Sequence, residues 1–249
     1  LTGISYQWKQ KGEGDYEQIT NTGSTPNQLK LTKDNVGKTI IVVVKGDGVA
    51  SHTDEVQSEP TAKVAYPTLK VSITGKAVEK ETLTAETDPE NAEGLTYQWK
   101  ISKDQNYVNI ESATEKTYQI ESGSAGKTII VTVKGNGEAF SEEEIESNPT
   151  AVIAAEGAKP TIAIKVAGTP KQGQKLTVEV TPSDANVNYQ WQKKAKGETS
   201  FKDVTTSEGT TKEITLKKAD ADSYFKVKVT STDTDYDTNP VESEEIGPV

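Results

Sequence analysis

A cluster of acidic side chains near the C-terminus is the part of this sequence best suited to chemistry. Asp233, Asp235 and Asp237 occupy alternate positions, and Glu244 is the twelfth residue counted from Asp233. Alternating oxygen ligands followed by a distant acid are typical of calcium loops. Thr238, however, stands where such a loop needs glycine. Two interpretations follow: a calcium site formed by the four acids, calcium then being the chain's only cofactor, or the polar turn of a hairpin.

Other kinds of reactive site are disfavoured by composition. The chain has 249 residues with no Cys, a single histidine (His52) and no Arg, so all 28 basic residues are Lys. Zinc sites and hydrolytic triads need clustered His or Cys, and we interpret His52 as a surface residue. The net charge of −10 repels polyanions, which argues against nucleic-acid binding. No apolar run approaches the roughly 20 residues that span a bilayer. The sequence therefore predicts a protein that is not an enzyme and has no transmembrane segment.

An internal repeat organises the chain. The tripeptide Tyr-Gln-Trp recurs at residues 6–8, 97–99 and 189–191. Downstream, Gly-Lys-Thr-Ile-Ile-Val at residues 37–42 recurs at 126–131, and Asp-Ser-Tyr-Phe-Lys-Val takes its place at 222–227. Landmarks in constant order at a fixed spacing indicate a tandem array. We predict a first copy at residues 1–65, a middle copy at 66–155 and a third copy at 156–249.

Within one copy the apolar residues alternate with a period of two, which predicts half-buried antiparallel strands. About seven such runs in about ninety residues match the size of an immunoglobulin-like sandwich. We therefore predict an all-β fold of tandem immunoglobulin-like β-sandwich domains. The tryptophans should face the core, each with the tyrosine two positions earlier beside it; these residues are Trp8, Trp99, Trp191, Tyr6, Tyr97 and Tyr189. The alternative is that the tryptophans are exposed platforms for sugar stacking.

The order of these motifs resembles the bacterial immunoglobulin-like repeats of Gram-positive cell-surface and surface-layer proteins. The resemblance covers nearly the whole chain and implies an extracellular, non-catalytic structural segment at the bacterial surface. It implies protein–protein contacts there, including contacts with further copies of the chain. The same repeat type leaves two alternatives open: an adhesin or carbohydrate-binding accessory segment, and a fibre subunit completed by strand exchange.

The resemblance also raises the question of Lys–Asn amide crosslinks, which such modules can carry. Lys70 and Lys165 lie on predicted first strands, and Asn148 and Asn239 lie near the last ones. The alternation directs both lysines to the outer face of their strands. We therefore expect no crosslink.

The first copy begins at its third predicted strand, because Ile4 aligns with Leu95 of the middle copy. A sandwich without its first two strands exposes core and unpaired edges. Those strands are either absent from this chain or supplied by another polypeptide. The connectors also differ: two residues join the first and middle copies, and six join the middle and third. We expect the second connector to be the more mobile.

One outer surface is a candidate for partner contact. If Ile40 and Val42 face the core, then Ile41 and Val43 face outward, as does Ile130 in the middle copy. Exposed apolar residues can mark an interface, although β-branched residues also occur simply because they favour strands.

Overall fold

The alternating apolar runs form strands throughout a computed structural model that describes residues 3–20, 25–46 and 54–249. The fold is all-β, as predicted, and the described residues contain no helix longer than one short 3-10 turn. The strands of the first copy are β1 (Ile4–Lys11), β2 (Glu17–Gln18), β3 (Thr39–Gly46) and β4 (Glu55–Gln57). They form one antiparallel sheet in the order β2-β1-β3-β4. A 3-10 turn at Lys33–Asn35 precedes β3.

Seven strands build the middle copy: β5 (Lys70–Thr74), β6 (Thr82–Asp88), β7 (Thr96–Lys103), β8 (Asn106–Asn109), β9 (Thr117–Gln119), β10 (Ile129–Lys134) and β11 (Glu144–Glu146). They form a three-stranded sheet, β5-β6-β9, and a four-stranded sheet, β11-β10-β7-β8. Trp99 and Tyr118, one from each sheet, stack with their ring centroids 5.8 Å apart. The two sheets therefore share one core, as in a sandwich.

The third copy repeats this arrangement. Its strands are β12 (Ala163–Ala167), β13 (Lys175–Thr181), β14 (Val187–Lys194), β15 (Lys202–Asp203), β16 (Glu213–Thr215), β17 (Tyr224–Ser231) and β18 (Val241–Glu242), with 3-10 turns at Ser207–Thr210 and Lys218–Asp220. The sheets are β12-β13-β16 and β15-β14-β17-β18. Each complete copy thus has the seven strands expected of an immunoglobulin-like sandwich.

Two compact units divide the described chain. One comprises Leu1–Thr68, Glu93–Leu95 and Lys134–Glu143; the other comprises Leu69–Ala92, Thr96–Val133 and Glu144–Val249. The second unit contains most of the middle copy and all of the third. The three-domain division at residues 65 and 155 remains a prediction.

The tryptophans of the two complete copies lie at the centre of their cores. Trp99 and Trp191 are fully buried. Trp191 stands opposite Val227 on β17, and the core around it draws Leu176 and Val178 from the facing sheet. Tyr97 and Tyr189 are half-buried beside these cores. A fully buried indole cannot stack on a sugar, so the platform interpretation does not hold for Trp99 or Trp191.

In the first copy the sheet has no facing sheet among the described residues. Trp8 and Tyr6 are therefore only half-buried, and Leu31 is 49% exposed. Residues 27–31, which match β9 in sequence, are not assigned to a strand. Among the described residues of this copy, β6 has no counterpart.

The expected outward apolar patch is not exposed. Ile41 is 1% exposed, Val43 is 7% exposed and Ile130 is 3% exposed. Ile41 and Val43 lie on β3, which has β1 and β4 on either side, and Ile130 lies on β10, between β7 and β11. Register places long side chains next to them: Lys9 opposite Ile41, and Gln7 and Gln57 on either side of Val43. The aliphatic stems of such neighbours cover a central strand even on its solvent face. Contact of these three residues with a partner remains untested.

No helix in the part of the chain that the structure describes has the length and apolar character needed to cross a bilayer.

Candidate functional site

The hairpin between β17 and β18 contains the acidic residues that the sequence singles out. Asp235 is bound to Lys76, on the turn after β5, with 2.5 Å between Oδ2 and Nζ. This hydrogen bond lowers the pKa of Asp235 and raises the pKa of Lys76. Both residues belong to the same compact unit. The pair thus joins the middle copy to the third.

The other acids of this hairpin serve its own backbone. The carboxylate of Asp233 accepts a hydrogen bond from the amide of Asp235 at 3.0 Å. The carboxylate of Asp237 accepts bonds from the amide and side chain of Asn239, which lower its pKa. The amide of Asp237 donates to the carbonyl of Pro160 at 2.9 Å, on the connector that precedes the third copy. The hairpin is thereby fixed both to its own connector and to Lys76.

Tyr236 anchors the same hairpin from within. It is 4% exposed and belongs to the core of the third copy. Burial and the neighbouring acids, among them Asp184 and Asp233, raise the pKa of its hydroxyl to about 12. The hairpin is therefore held by a buried ring on one side and an ion pair on the other.

These contacts bear directly on the predicted calcium site. Asp233, Asp235 and Asp237 share one hairpin, whereas Glu244 follows β18 and is exposed. No group of three or more acidic or histidine side chains in the described ranges is arranged to hold a metal ion. A lysine occupies the place beside Asp235 that a cation would take. The geometry thus favours a polar turn over a calcium site. This turn contributes to the junction between the middle and third copies.

A second set of contacts joins the same two copies through Asn148. This residue lies just after β11, and its side-chain nitrogen donates to Glu179 of β13 at 2.8 Å. Its side-chain oxygen accepts a bond from Lys165 of β12 at 3.2 Å. Lys165 was expected on the outer face of its strand, and it is exposed. The outer face of β12 lies against the end of the middle copy, which brings Lys165 within hydrogen-bond distance of Asn148.

The turn between β13 and β14 supplies a third set of contacts between the middle and third copies. The amide of Ser183 donates to the carbonyl of Ile73 at 3.0 Å, and its hydroxyl lies 3.3 Å from that of Ser72. Beside these contacts runs a cleft of about 580 Å³ between the copies. Lysines and glutamates line it beside apolar residues, including Lys70, Glu86, Leu69 and Ile145. The charged side chains make this lining more polar than that of typical small-molecule sites.

The corresponding hairpin of the middle copy, residues 134–143, belongs to the first compact unit. Within that unit Glu138 forms an ion pair with Lys33, and the hydroxyl of Tyr66 donates to the carbonyl of Gly137 at 2.6 Å. The hairpin of the third copy likewise contacts a lysine of the preceding copy and its own connector. The arrangement recurs although the two hairpin sequences differ.

One residue named in the sequence analysis, His52, falls outside the described residues.

One residue of the repeated tripeptide has a role that the sequence reasoning missed. The side chain of Gln98 donates to the carbonyls of Trp99 and Ile110, at 2.8 and 2.9 Å. Gln190 donates in the same way to Trp191 and Val204. Each glutamine thus fixes the segment after the following strand against the tryptophan strand. The recurrence of this glutamine in all three copies was the sequence signal that could have revealed its role.

No model of a known protein family matches the chain, and neither does any curated protein. Among solved structures, the chain is similar to the FN1–FN3 domains of chicken CNTN1, with 13% identity and a TM-score of 0.25, covering 97% of this chain and 88% of that one. It is also similar to domains A168–A170 from titin, with 13% identity and a TM-score of 0.28, covering 97% of this chain and 87% of that one.

Proposed function

We propose that the chain is a non-catalytic structural segment of an extracellular, bacterial cell-surface protein, either of a surface layer or attached to the wall. In this role the repeats act as spacer modules whose edges and outer faces make protein contacts. The tandem sandwich fold and the absence of a metal-binding cluster among the described residues support the proposal.

The observation that carries this proposal is the junction between the middle and third copies. Asn148, Ser72 and Lys76 of the middle copy reach three separate segments of the third, through Glu179, Ser183 and Asp235. Rotation about the second connector would break these contacts together, so we expect this junction to be stiff, contrary to the sequence-based expectation that it is the more mobile of the two. A spacer has to keep its two ends at a fixed separation. A junction held by contacts at several points does so, whereas a flexible linker does not.

Rigidity at this junction can be measured directly, because the chain has no Cys and accepts spin labels at introduced cysteines. Exposed Glu111 in the middle copy and exposed Thr205 in the third are suitable positions. We expect pulsed electron paramagnetic resonance to give a narrow distribution of distances between the labels at these two positions. Labels at Lys171 and Thr205, both within the third copy, give the width that a rigid body produces.

Breaking the ties should broaden that distribution. The double variant Lys76→Ala with Asn148→Ala removes two of the three contacts while leaving both cores intact. If the unmodified chain already shows a distribution as broad as a flexible linker gives, the copies are not a stiff pair and the spacer proposal is wrong.

Location at the cell surface needs its own test. Brief trypsin treatment of intact cells should release peptides of this chain, because exposed lysines are numerous and a surface spacer is accessible. Release only after lysis would contradict the proposed location.

A further inference from the structure

One edge of the four-stranded sheet in the middle copy is a strand without charged side chains. Strand β8 (Asn106–Asn109) ends the sheet order β11-β10-β7-β8, so it has a neighbour on one side only among the described strands. Its sequence is Asn-Tyr-Val-Asn, and Val108 is 40% exposed. An edge strand displays backbone groups that can pair with another chain, and most proteins protect such edges with charges.

The equivalent strands of the other two copies carry a charge at the position of Val108. In each copy the edge strand pairs with the tryptophan strand, and the residue opposite the second position after the tryptophan is Glu17, Val108 or Lys202. All three residues are exposed. Pairing of the first or third strand with its own duplicate would bring two glutamates or two lysines together, which opposes association. Among these three strands, β8 alone avoids that repulsion.

The backbone of β8 offers its pairing groups at two positions. The amide of Ile110 donates to the carbonyl of Trp99 at 2.9 Å. Because hydrogen-bonded positions alternate along an antiparallel ladder, the amide and carbonyl of Val108 also face β7. The amides and carbonyls of Tyr107 and Asn109 therefore point away from β7, along the outer edge of the sheet.

Both ends of β8 are fixed to the sheet by short-range structure. Asp104 and Gln105 form the turn from β7 to β8, and both have positive φ (48° and 68°), as a tight hairpin requires. At the other end, the side chain of Gln98 donates to the carbonyl of Ile110 at 2.9 Å. The edge is therefore already ordered, which lowers the free-energy cost of adding a strand.

We propose that β8 pairs with β8 of a second copy of this chain, antiparallel about a two-fold axis, so that two four-stranded sheets become one. Tyr107 exchanges hydrogen bonds with Asn109 of the second copy, and the reverse, which gives about four bonds. Val108 then lies opposite its own counterpart at the axis and is covered by it. The proposal names an edge and a partner for the protein contacts of the proposed function. It rests on that function, because so small a contact needs chains held close together on a surface.

The flanking residues are compatible with this register. Asp104 would lie opposite Ser112 of the second copy, and Gln105 opposite Glu111. No charge therefore meets one of the same sign across the pair, although the whole chain has a net charge of −10. This local neutrality favours a second copy as the occupant.

Single cysteines test the pairing in the whole chain, because the sequence has none of its own. Opposite residues at a non-hydrogen-bonded position have Cα atoms about 4.5 Å apart, within the roughly 4.4–6.8 Å that a disulfide spans. Under mild oxidation we expect Val108→Cys to form a disulfide-linked dimer at least roughly tenfold faster than Lys202→Cys, the equivalent position of the third copy. Asn109→Cys should also be slow, because it would lie about 7–8 Å from its counterpart.

A pair of charge variants makes the test independent of cysteine chemistry. Val108 is exposed, so Val108→Lys and Val108→Glu should both fold. Each variant alone places like charges together at the axis, and we expect each to associate at least roughly fivefold more weakly than the unmodified chain in sedimentation equilibrium. An equimolar mixture of the two should regain the association, because opposite charges then meet.

Three results would overturn the proposal. Equal crosslinking rates for Val108→Cys and Lys202→Cys would show that the edge meets its counterpart only by random collision. An unmodified chain that stays monomeric at millimolar concentration would show that the edge does not pair. A dimer that persists in Val108→Lys would place the contact elsewhere on the chain. The distances between spin labels within one chain would stay narrow in all three cases, so the spacer proposal fails or survives separately.

Discussion

Trp191 is tied to Thr211 by a hydrogen bond from its indole nitrogen to the backbone carbonyl, 2.9 Å long. Trp99 makes the same bond to Glu115 at 2.9 Å, and Trp8 makes it to Pro26 at 3.0 Å. In the two complete copies the bond joins the tryptophan strand to the segment that enters the facing sheet. The ring thus fills the core while its N–H finds an acceptor. The bond is also present in the first copy, whose sheet has no facing sheet among the described residues.

Replacing these tryptophans should therefore have unequal effects. Trp99→Phe leaves a void in a closed core and removes the indole hydrogen bond, and we expect a loss of about 2–4 kcal/mol in the free energy of unfolding. Trp191→Phe is the matched control and should cost a similar amount. Trp8→Phe should cost less than about 1 kcal/mol, because its site is already open to water. Equal losses in urea denaturation for all three would contradict the partial exposure of Trp8.

The carboxyl of Asp235 should titrate below its ordinary value of 3.8, because Lys76 donates to the charged form. A lowered pKa in the folded state means that the stabilising contribution is complete above pH 3.8 and disappears as the pH falls through the folded pKa. Carbon-detected NMR of the carboxyl gives this value. In Lys76→Gln the titration should move up towards 3.8, whereas the control Lys80→Gln, which removes a lysine paired with Glu156, should leave it unchanged.

Tyr236 should make the third copy sensitive to alkali. Its folded pKa of about 12 lies above the ordinary 10.0, so the unfolded chain loses this proton first. The contribution of Tyr236 is thus complete below pH 10 and declines as the pH rises from 10 towards 12. Unfolding midpoints at pH 9 and pH 11 should differ less for Tyr236→Phe than for the unmodified chain. An equal difference in both would show that this hydroxyl ionises freely.

Calcium should neither bind the hairpin at residues 233–237 nor stabilise it. Asp235 is neutralised by Lys76, and Asp233 and Asp237 are engaged with backbone amides. Calorimetric titration with calcium should give no heat of binding up to millimolar concentrations. A saturable signal that disappears in Asp233→Asn would restore the calcium interpretation.

Lys165 and Asn148 should remain unlinked despite the 3.2 Å between their side-chain atoms. Amide formation with loss of ammonia needs a neutral amine, which burial favours by destabilising the ammonium, and Lys165 is exposed. The intact mass should equal the sequence mass. A mass lower by one ammonia, and restored in Lys165→Gln, would reveal a covalent bond between the copies.

The architecture could be predicted from the sequence because its signals are local and repeated. Alternation of apolar residues sets which side of a strand faces the core, and the spacing of Tyr-Gln-Trp sets the length of a copy. On that basis alone Trp99 and Trp191 were predicted to face the core, and both are fully buried.

Burial on the outer face of a sheet and contacts between copies could not be predicted from the sequence in the same way. Alternation predicts that Ile41 faces outward, yet it is 1% exposed, because exposure depends on which strands flank β3 and how long their side chains are. The acids at residues 233–237 show the same limit, because their spacing fits a cation equally well. Only the folded chain brings Lys76 to Asp235 from a position 159 residues away. Local pattern fixes the direction of a side chain, and tertiary packing alone decides what it meets.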